Sequence, residues 1–198
     1  MTAPPLTEDC ASCAALCCVG LAFDRGAAFA LDKPADTPCP HLTGAGLCGI
    51  HGNRDAHGFS GCTRYTCNGA GQYVTKRMFD GASWQRDPSI LAPMTAAFRD
   101  LAQVQQLRVL LQAAESLPLP DDARSELARF QTALIPAEGA VWTPEALERL
   151  LSGPVPGDIR RFLKGLKAYV PAPSARRPPP MRSEPAGGTP ACSRRRRG

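Results

Sequence analysis

Residues 10–67 read CASCAALCCVGLAFDRGAAFALDKPADTPCPHLTGAGLCGIHGNRDAHGFSGCTRYTC. This stretch holds eight of the nine cysteines and all three histidines of the 198-residue chain. Thiolate and imidazole are the ligands that zinc and iron most often take from proteins. We therefore predict that the stretch folds around bound metal, with eight candidate ligands: Cys10, Cys13, Cys17, Cys18, Cys39, Cys48, Cys62 and Cys67.

The spacing of the cysteines is typical of metal sites. Cys10-x2-Cys13 lets one short loop supply two thiolates, as in zinc and iron–sulfur proteins. Eight thiols would fill two tetrahedral sites, or one iron–sulfur cluster and one zinc site. The side chains of Cys17 and Cys18 diverge because the residues are adjacent, so they would serve two neighbouring ions, or one of them is structural.

The histidines and cations of the stretch are secondary candidates. A surface or hydrogen-bonding role is the simpler interpretation for each histidine, and His51 is the best ligand candidate because a predicted strand places it near Cys48. Four thiolates on a divalent ion leave a charge of −2. Four cations in the stretch could offset that charge: Arg25, Lys33, Arg54 and Arg64.

Three other uses of the cysteines fit the sequence less well. An even count would suit a disulfide framework, but the N-terminus MTAPPLTEDC lacks a secretory signal, which favours a reducing, cytoplasmic location. Thiol redox chemistry would want a βαβ pattern around the CxxC pair. Radical chemistry of the S-adenosylmethionine type would want C-x3-C-x2-C, and residue 20 is glycine.

The elements expected in residues 7–80 are short. Thr7 predicts a helix start that would place Cys10, Cys13 and Cys17 on one face. Residues 19–23 and 27–31 flank a predicted hairpin turn, and residues 47–51 predict a short strand. These patterns favour an α+β fold for a small metal-stabilised, Cys-rich domain over residues 7–80.

Residues 87–170 show helical periodicity instead. Asp87-Pro88 predicts a helix start, followed by a helix to about residue 116. Further helices are predicted over residues 121–134, from Thr143-Pro144-Glu145 onward, and over residues 158–169. Their apolar stripes favour an all-α segment in which the stripes are core, with a partner surface as the alternative. Whether this segment is a separate domain or packs on the Cys-rich part stays open.

Residues 171–198 are predicted to be a disordered tail. They contain seven prolines and seven arginines with one glutamate, a balance of +6 against +5 for the whole chain. Residues 1–170 are therefore close to neutral. A protein that binds nucleic acid carries positive charge on its folded surface, so we expect no nucleic-acid partner except through the Arg tail. No apolar run is long enough for a membrane span.

Taken together, the cysteine motifs resemble those of a known domain family. Cys10-x2-Cys13-x3-Cys17-Cys18, Cys39-Pro-His-Leu and Tyr65-Thr-Cys67 resemble the YkgJ-type, CxxCxxCC family of zinc- or iron-chelating domains. Over about residues 8–80, Phe29-Ala-Leu-Asp-Lys-Pro and Cys67-Asn-Gly-Ala-Gly-Gln are similar to the Cys-rich N-terminal part of bacterial pentapeptide-repeat proteins. The chain departs in having three residues between Cys13 and Cys17, and in lacking the pentapeptide repeats. The resemblance implies metal chelation and, for one relative, methylation of flagellin lysines.

Three functions remain open from sequence. The leading hypothesis is an accessory or structural bacterial protein that binds zinc or iron, because residues 32–72 hold few apolar side chains. Such a role leaves room for a protein partner that the sequence does not identify. The second is an iron-dependent, methylase-like enzyme that modifies proteins, although the nearby aspartates are scattered turn residues. The third is a zinc module that binds nucleic acid.

Overall fold

A computed structural model describes residues 3–171. Within that range the chain forms helices and three isolated antiparallel bridges, but no sheet. The predicted α+β class is therefore wrong, and the described chain is helical. Its helices are α1 (Leu16–Gly20), α2 (Ser60–Arg64), α3 (Ala70–Tyr73, continued by a π-helical turn over Val74–Met78), α4 (Leu91–Ala114), α5 (Asp121–Ala133), α6 (Pro144–Ser152) and α7 (Val155–Gly165).

The predicted strands are replaced by turns. Val19 lies in α1, and the expected hairpin is reduced to the single bridges Phe23–Lys33 and Gly26–Phe29. The expected strand at residues 47–51 gives one bridge, between Leu42 and Cys48, before a 3-10 turn begins at His51. Glycines and prolines interrupt this segment too often for a ladder of hydrogen bonds to extend.

The helix predicted from Thr7 is also wrong. Residues Cys10–Ser12 form one 3-10 turn, and the Asp9 carboxylate caps it by accepting from the Ser12 N–H at 3.3 Å. Ala15 adopts a left-handed conformation with φ 57°, which interrupts helical geometry before Leu16. Cys10, Cys13 and Cys17 therefore do not share one helix face.

The helical predictions for residues 87–170 are confirmed with small shifts. Asp87 caps the turn that leads into α4, and Thr143 caps α6 by accepting from the Ala146 N–H at 3.2 Å. The last predicted helix begins earlier than expected, at Val155, and ends in a 3-10 turn over Leu166–Tyr169.

One apolar cluster surrounds α4. Its fully buried side chains include Met94, Phe98 and Leu101 of α4, together with Leu16 and Val19 of α1. Residues from α3 and from α5 to α7 complete the cluster. The Cys-rich part thus packs directly against α4. The boundary between residues 7–80 and 87–170 stays a prediction, and the predicted tail lies almost wholly outside the described residues.

Polar side chains of α4 fasten the flanking segments to this core. Gln105 is fully buried, and its Nε2 donates to the carbonyls of Pro5 at 2.8 Å and Asn68 at 2.9 Å. Arg99 donates to the Gly20 carbonyl at 3.1 Å and to the Asp36 carboxylate at 2.7 Å. Buried polar groups need such partners, so these bonds fix where the Cys-rich segments lie. None of the helices in residues 3–171 has the length and apolarity to span a membrane.

Candidate metal centre

All eight predicted ligands are free thiols in the structure. Cys10 is exposed and the other seven are half-buried, with Cys13, Cys17 and Cys67 packed against the apolar cluster. Cys17, Cys18 and Cys62 lie in the short helices α1 and α2, and the other thiols are presented by turns.

Cys13 and Cys67 converge on Gly71 at the start of α3. A Cβ placed on Gly71 would lie 2.6 Å from the Cys13 sulfur and 3.8 Å from the Cys67 sulfur. Only glycine leaves room for a thiol at that distance. Gln72 joins the same segments, because it accepts from the Asp9 N–H at 3.0 Å and donates to the Thr7 carbonyl at 2.6 Å.

Cys39 and Cys48 are held beside the end of α1. The Cys39 N–H donates to the Cys18 carbonyl at 3.0 Å, and the Leu42 N–H donates to the Cys39 carbonyl at 2.9 Å. Leu42 then bridges to Cys48. Arg54 reaches the Cys62 carbonyl at 3.2 Å, which connects the turn after Cys48 to α2.

Cys17 and Cys18 lie between these two groups. Their sulfurs are 4.0 Å apart, closer than the divergence of adjacent side chains suggests. The contact with Cys18, followed by burial, raises the pKa of the Cys17 thiol.

Four further thiols also have raised pKa values: Cys10, Cys13, Cys62 and Cys67. Burial raises the pKa of Cys13 to about 11, and burial is the leading cause of the raised pKa values of Cys10, Cys62 and Cys67. Backbone N–H groups near Cys13 and Cys67 act in the opposite direction by stabilising thiolate. A metal ion that bound these thiols would have to displace their protons, and the raised pKa values of Cys10, Cys13, Cys17, Cys62 and Cys67 would oppose that step.

Lys33 is the cation best placed beside the thiols. Its side chain is buried at 4% exposure, and Nζ donates to the carbonyls of Val19, Pro34 and Thr37 at 3.0, 3.0 and 2.8 Å. Burial lowers the pKa of Lys33, whereas the nearby Cys39 and Cys18 raise it. No carboxylate in residues 3–171 forms an ion pair with it.

The sequence did not distinguish Lys33 from the other three cations. Arg25 and Arg64 are exposed, and Arg54 is half-buried. The prolines that follow Lys33 did offer an indication. Proline has no N–H, so a loop rich in proline leaves carbonyls free to accept from a nearby ammonium group. The importance of Gly71 could not be anticipated, because its neighbours come from segments distant in sequence.

The histidines are less well placed than the cysteines. His51 is exposed at the start of a 3-10 turn, so the strand that made it the best candidate is absent. His41 packs against Phe59 with ring centroids 4.9 Å apart, and His57 lies 6.0 Å from His41. These two rings belong to a small aromatic cluster rather than to the thiol groups.

The apolar contribution of the Cys-rich part is small. Between residues 32 and 72, the buried apolar side chains are Phe59 and Ala70. Phe59 meets Phe23 and Phe29 edge-on, at centroid distances of 6.0 and 6.3 Å. One aromatic cluster of this size is a limited core for so many residues.

The eight cysteines are residues of the right type to bind a metal, but their side chains do not form a complete coordination site in this structure. In the described part of the chain, no three Cys, His, Asp or Glu side chains stand in a group that could hold an ion. The thiols do lie near enough for the charge on one to affect the pKa of others. A metal would therefore have to draw the sulfurs closer together than they stand in this structure.

Comparison with known proteins adds one relative. The chain is 36% identical over 122 residues to the Uncharacterized protein YybG of Bacillus subtilis (strain 168), which covers 62% of this chain and 44% of YybG. The matched region is less than half of the length of YybG, and the name of that protein states no activity. No protein-family model and no solved structure matches the chain.

Proposed function

We propose that residues 10–67 bind zinc or iron through the eight cysteines, and that the metal stabilises this part of the protein in an accessory or structural role. The observation that carries the proposal is that residues 10–67 present eight free thiols from turns and short helices, with the Cys17 and Cys18 sulfurs 4.0 Å apart and the Cys13 and Cys67 sulfurs both close to Gly71.

Two further observations support it. Residues 32–72 bury few apolar side chains, so cross-linking by metal would supply stability that packing does not. Lys33 places a buried positive charge beside Cys18 and Cys39, where a metal bound by several thiolates would carry negative charge.

The test is elemental analysis with a visible spectrum on full-length protein purified without oxygen. Stoichiometric zinc without colour would support a structural metal centre. Iron with acid-labile sulfide and a brown absorption would support an iron–sulfur centre. Purified folded protein that holds no metal, and takes up neither zinc nor iron when they are added, would refute the proposal.

A second candidate is an iron-dependent enzyme that modifies proteins. The observation that favours it is an open groove of about 330 Å³ beside Cys13, whose walls include Lys76, Arg86 and residues 44–47. Such a groove would give a substrate access to an ion bound at Cys13. Oxygen-sensitive iron with an exchangeable ligand would favour this candidate, and coordinatively saturated zinc would exclude it.

A further inference from the structure

The charge of the chain is divided unevenly along its length. Residues 160–198 hold eleven of the 23 Lys and Arg residues and one of the 18 Asp and Glu residues, a balance of +10. Residues 1–159 therefore carry a balance of −5. The near-neutral total of residues 1–170 hides this separation, because the excess of positive charge begins within α7 and not at the tail.

We infer that the outward side of α7 and of the turn after it binds the phosphate backbone of a nucleic acid. The α7 cationic face consists of four exposed side chains: Arg160, Arg161, Lys164 and Lys167. This inference does not depend on metal binding, so the failure of one proposal leaves the other standing.

The packing of α7 determines which side of it faces outward. Ile159 is fully buried and Leu166 is buried, and the Phe162 ring packs on Phe130 with centroids 5.3 Å apart. Arg160 is followed by Lys164 four residues later and by Lys167 seven residues later. This spacing keeps the cations on the same side of a helix, away from its apolar stripe.

The cations are available to a ligand. In the part of the chain that the structure describes, Arg161 pairs with Asp158, whereas Arg160, Lys164 and Lys167 form no ion pair. The space beside them is open as well. Nothing lies within 4 Å of a Cβ placed on Gly165, so a phosphate backbone could approach this side of α7 closely.

The dimensions and chemistry of the face suit a row of phosphates. Seven residues of helix span about 10 Å, and successive phosphates of one DNA strand advance by about 3.4 Å along the axis. Arginine binds phosphate through two parallel N–H bonds, and lysine binds it as a point charge. Contacts to phosphate carry no sequence information, so duplexes of different sequence should bind alike.

A membrane surface fits this face less well than a nucleic acid. A helix that lies on a membrane inserts apolar side chains between the lipids. The apolar side chains of α7 instead pack into the core of the protein. Residues 172–198 lie outside the described residues, and their sequence adds seven arginines and one glutamate to the positive charge of α7.

The test measures binding of the full-length chain to a labelled DNA duplex of mixed sequence over a series of salt concentrations. Affinity should fall as salt rises, because each phosphate contact releases counterions. The variant Arg160→Gln/Arg161→Gln/Lys164→Gln should bind more weakly and should reduce the logarithmic salt slope by about three, close to one for each lost contact.

Two further variants separate the face from net charge and from the tail. Arg25→Gln/Arg64→Gln/Arg77→Gln removes the same charge from exposed positions outside α7 and should leave the slope unchanged. Replacement of Arg194–Arg197 by serine should leave part of the binding in place. Equal losses in the α7 variant and in the control at Arg25, Arg64 and Arg77 would overturn the inference, and so would an α7 variant that binds like the wild type.

Lysine acetylation of the wild-type chain keeps the test independent of variant folding. The duplex should protect Lys164 and Lys167, whereas Lys76, an exposed lysine outside α7, should react equally with and without it. Unprotected Lys164 and Lys167 would overturn the inference. Tighter binding to vesicles of phosphatidylglycerol than to the duplex would overturn it in favour of a membrane surface.

Discussion

The Cys-rich region and the helices after residue 87 are stabilised by different means. Around α4, large side chains such as Phe98 and Leu101 are fully buried in an apolar cluster to which α1, α3 and α5 to α7 also contribute. In residues 10–67 the main contacts are single hydrogen bonds between turns, one small aromatic cluster and the bonds of Lys33. The α4 core draws on both regions, because Leu16 and Val19 of α1 are fully buried in it, whereas the turns between residues 21 and 67 have little apolar packing of their own. We propose that bound metal supplies the missing constraint in those turns.

The largest expected effect comes from opening the core around α4. Phe98→Ala should lower the free energy of unfolding by about 3–5 kcal/mol, because it removes a fully buried aromatic side chain and leaves a cavity. The loss should appear in both metal-loaded and metal-stripped protein when measured by urea denaturation, because the Phe98 ring is buried in the shared core and lies beside Gly20 of α1. A loss that appears only with metal present would show that the α4 core itself depends on the metal.

Removing the buried cation should affect the Cys-rich region next. Lys33→Met leaves three carbonyls without their donor and should cost about 1–3 kcal/mol of stability. It should also weaken zinc binding in competition with a chelator, because the positive charge beside Cys18 and Cys39 is lost.

Arg25→Met is the matched control, since Arg25 is an exposed cation in the same region. It should change stability by less than about 0.5 kcal/mol. Equal effects of the two substitutions would show that the buried position of Lys33 has no special importance.

Filling the space at Gly71 should weaken metal binding without opening the core. Gly71→Ala would place a methyl group 2.6 Å from the Cys13 sulfur and force the thiol to move. Zinc affinity should fall by about tenfold, equivalent to about 1.4 kcal/mol. Gly26→Ala is the control because nothing lies within 4 Å of its Cβ position. Unchanged affinity in Gly71→Ala would remove Cys13 from the proposed ligands.

The smallest expected effect comes from removing the ion pair between Asp36, in the Cys-rich region, and Arg99 of α4. Arg99 holds the pKa of Asp36 below its ordinary value, chiefly through their hydrogen bond. The ion pair is about 40% exposed, so Asp36→Asn should cost only about 0.2–1 kcal/mol at neutral pH.

The stability lost in Asp36→Asn should depend on pH in a predictable direction. Because the folded-state pKa is lowered, the stabilisation is present above the unfolded pKa of about 3.9 and disappears as the pH falls through the folded value. The difference between wild type and Asp36→Asn should therefore vanish in acid. A difference that grows on acidification would contradict this assignment.

Sequence reasoning succeeded where local signals determine structure. Asp87-Pro88 and Thr143-Pro144 mark helix starts through capping, and the apolar periodicity after them matches the observed helices. It failed in residues 7–51, where β-branched and aromatic residues suggested strands but glycine, proline and the left-handed Ala15 produce turns.

The candidate site was only partly accessible from sequence. The cysteines are recognisable by residue type and spacing. The contacts of Gly71 with Cys13 and of Lys33 with Thr37 depend on how distant turns meet, and no local pattern encodes them. Periodicity likewise could not reveal that Gln105 would be a buried polar anchor on an apolar helix.

Hydrogen exchange on metal-loaded and metal-stripped full-length protein tests the central claim most directly. We predict that stripping the metal removes protection from amides in residues 10–67, including Cys39, whose N–H bonds to Cys18. Amides in the middle of α4, from residue 98 to residue 111, should remain protected. Equal protection of residues 10–67 before and after metal removal would contradict the claim that metal stabilises this region.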